Sequence, residues 1–292
     1  MPSKVAGPRS FLFVPADSER KLARGLDSGA DALILDLEDS VAAANRPTAR
    51  KLARDFLDAN GPEKIARYVR VNPLASGLAL DDLAATIAGR PDGILLPKCT
   101  PDEVRTLDHF LSAFEVAAGG PAGATKIIAI ATETAEAVFA LGHYKGSSPR
   151  LEAITWGAED LSACIGGSNR TADGGYDGPY LLARSLCLLA AAAAGVAALD
   201  TIYTDFRDPA GLAAECAAAK RSGFAGKMAI HPSQIAAING AFSTSAAERD
   251  WAEKVVAAFA ANPDAGTLAL DGKMIDRPHL VLARRLLGLP SG

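Results

Sequence analysis

Two carboxylates without a histidine or thiolate beside them, Glu133 and Asp160, each follow a short apolar run, Lys126–Thr132 and Ala153–Trp156. If those runs are neighbouring parallel strands, about 4.8 Å apart, their acidic ends can grip one ion. Carboxylates alone suit a hard cation, Mg2+ or Mn2+, which keeps waters for substrate oxygens to replace. Glu38 and Asp39, after the run Ala32–Asp36, are placed to hydrogen-bond such waters. The alternative is that these acids cap the helices that follow, as Glu133-Thr134 could. Four acids converging on one mouth would repel one another unless a cation were present, which favours the metal.

Arg70 lies within Tyr-Val-Arg-Val-Asn, near a strand end. A guanidinium there suits a carboxylate or a developing enolate oxygen, and equally a structural ion pair with the same acids. Lys98 ends Ile-Leu-Leu-Pro-Lys. A desolvated lysine at that point could form a Schiff base with a keto substrate; neutralising nearby acids is the role favoured here. His231, in Ala-Ile-His-Pro, is read as orienting a loop rather than moving a proton. His109, His143 and His279 have no partner in the sequence, and Cys99 reads as a small buried residue. No phosphate-loop pattern or strand-linked G-x-G-x-x-G occurs.

These residues recur at the ends of eight apolar runs: Ser10–Pro15, Ala32–Asp36, Tyr68–Val71, Gly93–Pro97, Lys126–Thr132, Ala153–Trp156, Val196–Thr204 and Gly226–Ile230. The seventh run carries Asp200 and leads into Asp205. An alanine- and leucine-rich stretch long enough for one helix separates each pair of runs. Strand and helix alternating in this way predict an α/β fold, a (β/α)8 TIM barrel, whose chemistry sits on the loops after the strands. Thr100-Pro101-Asp102-Glu103 is a strong helix start, with Thr100 as cap and Glu103 able to close a capping box. The glycine-rich segment Gly166–Gly178 is expected to be a flexible rim over the mouth.

At 292 residues, the chain slightly exceeds the usual barrel length of about 250. Residues 1–241 are expected to form the barrel. Residues 242–292 are expected to form a helical arm or lid: a helix over 246–261, a hairpin over Thr267–Ile275 and a last helix from Arg277. A net charge of −4 with scattered basic residues gives no reason to expect nucleic acid or an anionic membrane as partner. The four cysteines lack metal or disulfide spacing, and the longest apolar stretch, Leu186–Ala194, is too short to span a bilayer. With no signal-like N-terminal pattern, a cytoplasmic location is expected.

Seven segments together carry a resemblance: Arg9–Pro15, Asp36–Val41, Val69–Asn72, Leu96–Lys98, Thr132–Thr134, Gly157–Leu161 and Ile230–Ile235. Their ordered set, over about residues 9–285, resembles the citrate lyase β-subunit-like family, with the malyl-CoA and citramalyl-CoA lyases of the HpcH/HpaI aldolase superfamily. The resemblance implies that Glu133 and Asp160 hold Mg2+ and that Arg70 contacts substrate oxygens. It implies that backbone N–H groups of Gly157, Ala158 and Glu159 receive a keto-acid carboxylate, and it makes Arg20 and Lys21 candidate contacts for CoA phosphates. The last two also read as an ordinary solvated helix face. Gly272–Pro278 resembles an arm whose aspartate, here Asp276, reaches a neighbouring subunit as acid–base residue. Asp276 also reads as a helix cap. A homo-oligomer, a trimer or a multiple of three, is implied, acting on a CoA thioester as a stand-alone lyase. Ala16 stands where the family usually has glycine, and Ala42–Thr48 lacks its common lysine. The implied reaction is retro-Claisen cleavage of a malyl-, citramalyl- or citryl-CoA type ester to acetyl-CoA and a 2-keto acid. The alternatives are a Lys98 aldolase and a non-catalytic CoA-thioester-binding subunit.

Overall fold

The computed structural model describes residues 7–290. Eight parallel strands close into a barrel in sequence order: β1 Ser10–Pro15, β2 Ala32–Asp36, β3 Ala66–Arg70, β4 Gly93–Leu96, β5 Lys126–Ile130, β6 Leu151–Thr155, β7 Ala197–Asp200 and β8 Gly226–Ala229. The intervening helices are α1 Glu19–Leu26, α2 Arg46–Ala59, α3 Ala79–Thr86, α4 Pro101–Ala117, α5 Ala135–Ala140, α6 Ala158–Ile165, α7 Gly178–Ala194, α8 Pro209–Ser222 and α9 Ile235–Phe242. This is the (β/α)8 barrel that the alternation of runs predicts. The compact unit that contains it spans Pro8–Phe242.

The two-residue period of the strands sorts their side chains into two layers. Phe11, Ile34, Tyr68, Leu95, Ile128, Ala153, Leu199 and Met228 pack inside the barrel. Leu12, Leu33, Leu35, Val69, Ile94, Leu96, Ile127 and Ile154 pack outward, against the helices. Each fully buried side chain of this kind stabilises by roughly 1.5–3 kcal/mol, so the double layer holds the strand ends that form the mouth.

Parity also keeps one strand-end acid away from the mouth. Asp200 follows the inward Leu199 and therefore faces the helices. There it meets Lys227 Nζ at 3.0 Å and Arg184 Nε at 3.0 Å, and Lys227 reaches Glu215 of α8 at 2.7 Å. This is a buried structural ion network and not part of the mouth.

Capping chemistry explains most helix starts. Thr100 and Glu103 form their capping box at α4, and Asp208 and Ser18 cap α8 and α1 through their side chains. The segment Gly166–Gly178 is tied down, contrary to the expectation of a flexible rim. Arg170 stacks 3.6 Å over the ring of buried Tyr176 and pairs with Glu215 at 3.0 Å. Tyr176 in turn packs edge-on against Trp156, with ring centroids 4.8 Å apart.

A second unit includes α10 Ala246–Ala261, the antiparallel strands β9 Thr267–Leu270 and β10 Lys273–Asp276, and α11 Arg277–Leu286. Its own core is Ala252, Val255, Phe259, Ile275, Leu280 and Ala283. The hairpin turns through Asp271 and Gly272, with φ of 48° and 75°, the left-handed pair that an Asp-Gly turn supplies. Among the described residues, no helix is long and apolar enough to cross a membrane.

Candidate active site

A cavity of about 200 Å3 opens at the C-terminal ends of the strands, where Arg70, Glu133, Gly157, Glu159 and Asp160 all line it. A larger cavity of about 880 Å3 lies at the other end of the barrel, among strand starts such as Ala66, Lys126 and Glu152. Arg67 there pairs with Asp92 at 3.1 Å. The smaller cavity lies at the end where barrels of this kind carry chemistry.

Glu133 and Asp160 reach this cavity from different elements. Glu133 follows β5 and is 4 % exposed, while Asp160 sits in the first turn of α6 with its side chain 32 % exposed. Glu133 Oε2 accepts the Lys98 N–H at 2.6 Å. Burial, then the Asp160 charge, pushes the Glu133 carboxyl up to about 8. Burial and the neighbouring carboxylate thus favour the protonated form of Glu133, and a cation bound between the two would favour its ionised form. Among the described residues, no group of three or more His, Cys, Asp or Glu side chains forms a metal cluster. Two carboxylates and open positions fit a hard divalent cation that keeps most of its shell as water and substrate oxygen.

Arg70 projects inward from the end of β3, opposite Asp36 in the β2–β3 register. Its Nε and Nη2 each donate to an Asp36 oxygen at 2.7 Å, and its Cζ lies 4.7 Å from the Phe13 ring centroid. Nη1 comes within 2.9 Å of Glu38 Oε2, close enough for charge attraction but without hydrogen-bond alignment. Burial opposes charge on both Arg70 and Asp36. The pairing outweighs it, holding Asp36 below the usual carboxylate range and Arg70 firmly cationic. Asp36 also accepts from the Ser40 and Glu38 N–H groups and the Ser40 hydroxyl. The ion pair weighed as an alternative for Arg70 is present, and the guanidinium still lines the cavity.

Lys98 adopts φ 49°, a left-handed conformation that costs energy for a side chain of this kind. That twist directs its N–H at Glu133 while Nζ reaches Glu38 at 2.6 Å, Asp160 at 3.1 Å and Asp39 at 3.3 Å. Burial lowers the lysine's affinity for its proton, but the surrounding carboxylates more than restore it. An ammonium held by three carboxylates is a counter-charge and a poor Schiff-base nucleophile. Glu38 is buried, whereas the Asp39 side chain is 57 % exposed, and both are engaged by Lys98.

Gly157 caps α6. A Cβ there would sit 2.6 Å from Glu133 Cγ, so only glycine lets the carboxylate lie against the backbone. Its N–H already donates to Thr132 Oγ1 at 3.1 Å. The amides of Ala158 and Glu159, the first two of α6, have no acceptor within the helix and carry the anion-attracting end of its dipole. The Glu159 carboxylate accepts from Asn169 Nδ2 at 2.8 Å.

The remaining predicted residues lie elsewhere. Arg20 and Lys21 are exposed on the first turn of α1, after the mouth end of β1. Asp276 belongs to the second unit, where it caps α11 with Oδ1 2.5 Å from His279 Nδ1. His231 Nδ1 accepts the Ser233 N–H at 3.2 Å and its ring stacks on Phe206, in keeping with a loop-orienting role. Sequence reasoning missed Asp36 as the anchor of Arg70 and Thr155 as a cavity residue. The alternation that turns Ile128 and Ile130 inward also turns Thr155 inward and was the available signal.

Residues 9–232 match the family model described as HpcH/HpaI aldolase/citrate lyase. The citrate lyase subunit beta of Escherichia coli K12 is 36 % identical, covering 97 % of this chain and 93 % of the relative. A (3S)-malyl-CoA thioesterase from Cereibacter sphaeroides is 35 % identical, with 96 % and 93 % covered. Among solved structures, CitE from Mycobacterium tuberculosis, in complex with magnesium, acetoacetate and coenzyme A, superposes with a TM-score of 0.78 at 35 % identity, covering 97 % of both chains. The chain therefore belongs to the HpcH/HpaI aldolase/citrate lyase family, a family of carbon–carbon lyases.

Proposed function

We propose that this protein is a Mg2+-dependent lyase that cleaves a small 3-hydroxyacyl-CoA to acetyl-CoA and a 2-keto acid. The observation that carries the reading is the cavity wall itself: Glu133 and Asp160, with no softer ligand, beside a buried guanidinium and the open amides of α6. Glu133 and Asp160 would hold Mg2+, or Mn2+, which supplies Lewis-acid polarisation of the substrate oxygens. Glu38 and Asp39 would hydrogen-bond waters around it.

The chain's own groups do the rest. The Ala158 and Glu159 amides receive the substrate carboxylate next to the reacting carbon, and Gly157 keeps the wall open. As the bond between C2 and C3 of the acyl group breaks, the hydroxyl gives its proton to water at the mouth and becomes the keto oxygen. The bonding pair moves onto C2 as the thioester enolate, whose oxygen faces Arg70. A proton delivered to C2 completes acetyl-CoA. Asp276 of a neighbouring copy would deliver it, in a homo-oligomer of three or a multiple of three chains. Arg20 and Lys21 would meet the CoA phosphates.

Acetyl-CoA release from malyl-, citramalyl- and citryl-CoA tests the proposal. Turnover should vanish with EDTA and return with Mg2+; turnover indifferent to EDTA overturns it. The resemblance to a malyl-CoA thioesterase supports one second reading, hydrolysis of the same ester. Release of free CoA with no acetyl-CoA would identify it.

A further inference from the structure

We propose that Asn169 is a positioning residue that sets how tightly this site binds a carboxylate, by holding the Glu159 side chain off the amides of its own helix turn. The inference rests on the reading that the Ala158 and Glu159 N–H groups of α6 receive a substrate carboxylate. Glu159 is a hazard to that role. It occupies the second position of α6 and lines the cavity, so its own carboxylate is tethered beside the N–H groups that an incoming anion needs. Acidic side chains in a first turn are drawn to its unpaired N–H groups and to the positive end of the helix dipole. Left free, Glu159 would satisfy the amides itself and repel a second carboxylate.

The Asn169 side chain prevents this. Its Nδ2 donates to Glu159 Oε1 at 2.8 Å, and at 8 % exposure the donor is shielded from competing water. A short hairpin fixes its place. Arg170 and Tyr176 pair as an antiparallel bridge, the Asp177 N–H donates to the Asn169 carbonyl at 3.1 Å, and the Thr171 N–H donates to that of Gly175 at 2.9 Å. Arg170 fastens the hairpin to α8 through Glu215, and Tyr176 fastens it to Trp156 in the cavity wall. A lysine or arginine in this place would also hold Glu159, but it would offer the incoming anion a second seat; the neutral amide does not. Thr155 gives an independent sign that the cavity takes a polar ligand. It lines the same space, is 1 % exposed, and its Oγ1 has no hydrogen-bond partner among the described residues. Buried hydroxyls normally find one.

Calorimetric titration of the Mg2+-loaded protein with pyruvate and with glyoxylate tests the inference without turnover. Asn169→Ala should weaken both acids about fivefold without lowering Mg2+ affinity. Asn169→Asp keeps the shape, repels Glu159 and should weaken them at least as much. Adding Glu159→Gln to Asn169→Ala should restore the parent's affinity, because a neutral side chain competes poorly for the α6 amides; a merely structural role for Asn169 would not be reversed in this way. Either single variant binding both acids like the parent overturns the inference, as does a loss in Asn169→Ala that Glu159→Gln fails to restore. A parent chain that binds neither acid overturns it together with the assignment of α6 as the carboxylate receiver. The expected order of affinities with no CoA ester cleaved ends the lyase reading and leaves the inference standing.

Discussion

Arg70 and Asp36 face each other across β2 and β3, joined by two hydrogen bonds of 2.7 Å, and through this pair the barrel holds a guanidinium rigidly at its mouth. A bidentate pair fixes the plane of the guanidinium as well as its position. Arg70→Lys keeps the charge and loses the fork. It should lower kcat by about 10²–10³-fold with little change in Mg2+ affinity. Asp36→Asn leaves Arg70 buried without its counter-charge and should cost about 3–5 kcal/mol of stability as well as activity. Steady-state kinetics and urea unfolding check the two variants separately.

Gly157→Ala makes a sharper demand. The backbone there, φ −120°, accepts any residue, so the substitution carries no conformational strain of its own. The added Cβ would lie 2.6 Å from Glu133 Cγ and must push that side chain away from the wall. The protein should fold, with Mg2+ affinity reduced about tenfold or more when titrated calorimetrically. An unchanged affinity would mean that Glu133 has no part in binding the metal.

Much of this arrangement is legible in the sequence. Strand runs ending in polar residues and cap residues such as Thr100 and Asp208 carry local signals, and the barrel follows from them. Helix α6 is not legible, because its cap is Gly157, which has no side chain to announce a helix start. The flexible rim expected from the glycines of 166–178 is overruled by Arg170, whose partner Glu215 lies on a distant helix. Composition cannot foresee that contact. The pairing of Arg70 with Asp36 depends on strand register, which parallel strands do not encode locally. The helix-side position of Asp200, by contrast, was readable from its parity with Leu199.

A buried pair away from the mouth sets an acid limit on the fold. Glu115 accepts from Arg150 at 2.8 Å and from the Gly123 and Thr125 N–H groups. Burial opposes its ionisation, but Arg150 and these N–H donors prevail and lower the carboxyl from 4.5 to about 2. A carboxyl lowered on folding contributes stability that is complete above its unfolded value, near 4.5, and is lost as pH falls towards 2. The contribution is about 3 kcal/mol. Glu115→Gln should remove most of the wild-type loss of stability between pH 4.5 and 2 that arises from this pair, as read by urea unfolding at each pH, while lowering stability at pH 7.

Binding of Mg2+ to the intact protein and to Glu133→Gln and Asp160→Asn tests the central claim most directly, by thermal unfolding in EDTA and in Mg2+. A ligand that binds only the folded state raises its stability by RT ln(1 + [L]/Kd). Mg2+ should raise the melting temperature of the parent chain and leave both variants unmoved, with Glu133→Gln melting no lower than the parent in EDTA because burial and the Asp160 charge already favour a neutral side chain at that position. Variants that gain as much stability from Mg2+ as the parent would contradict the account.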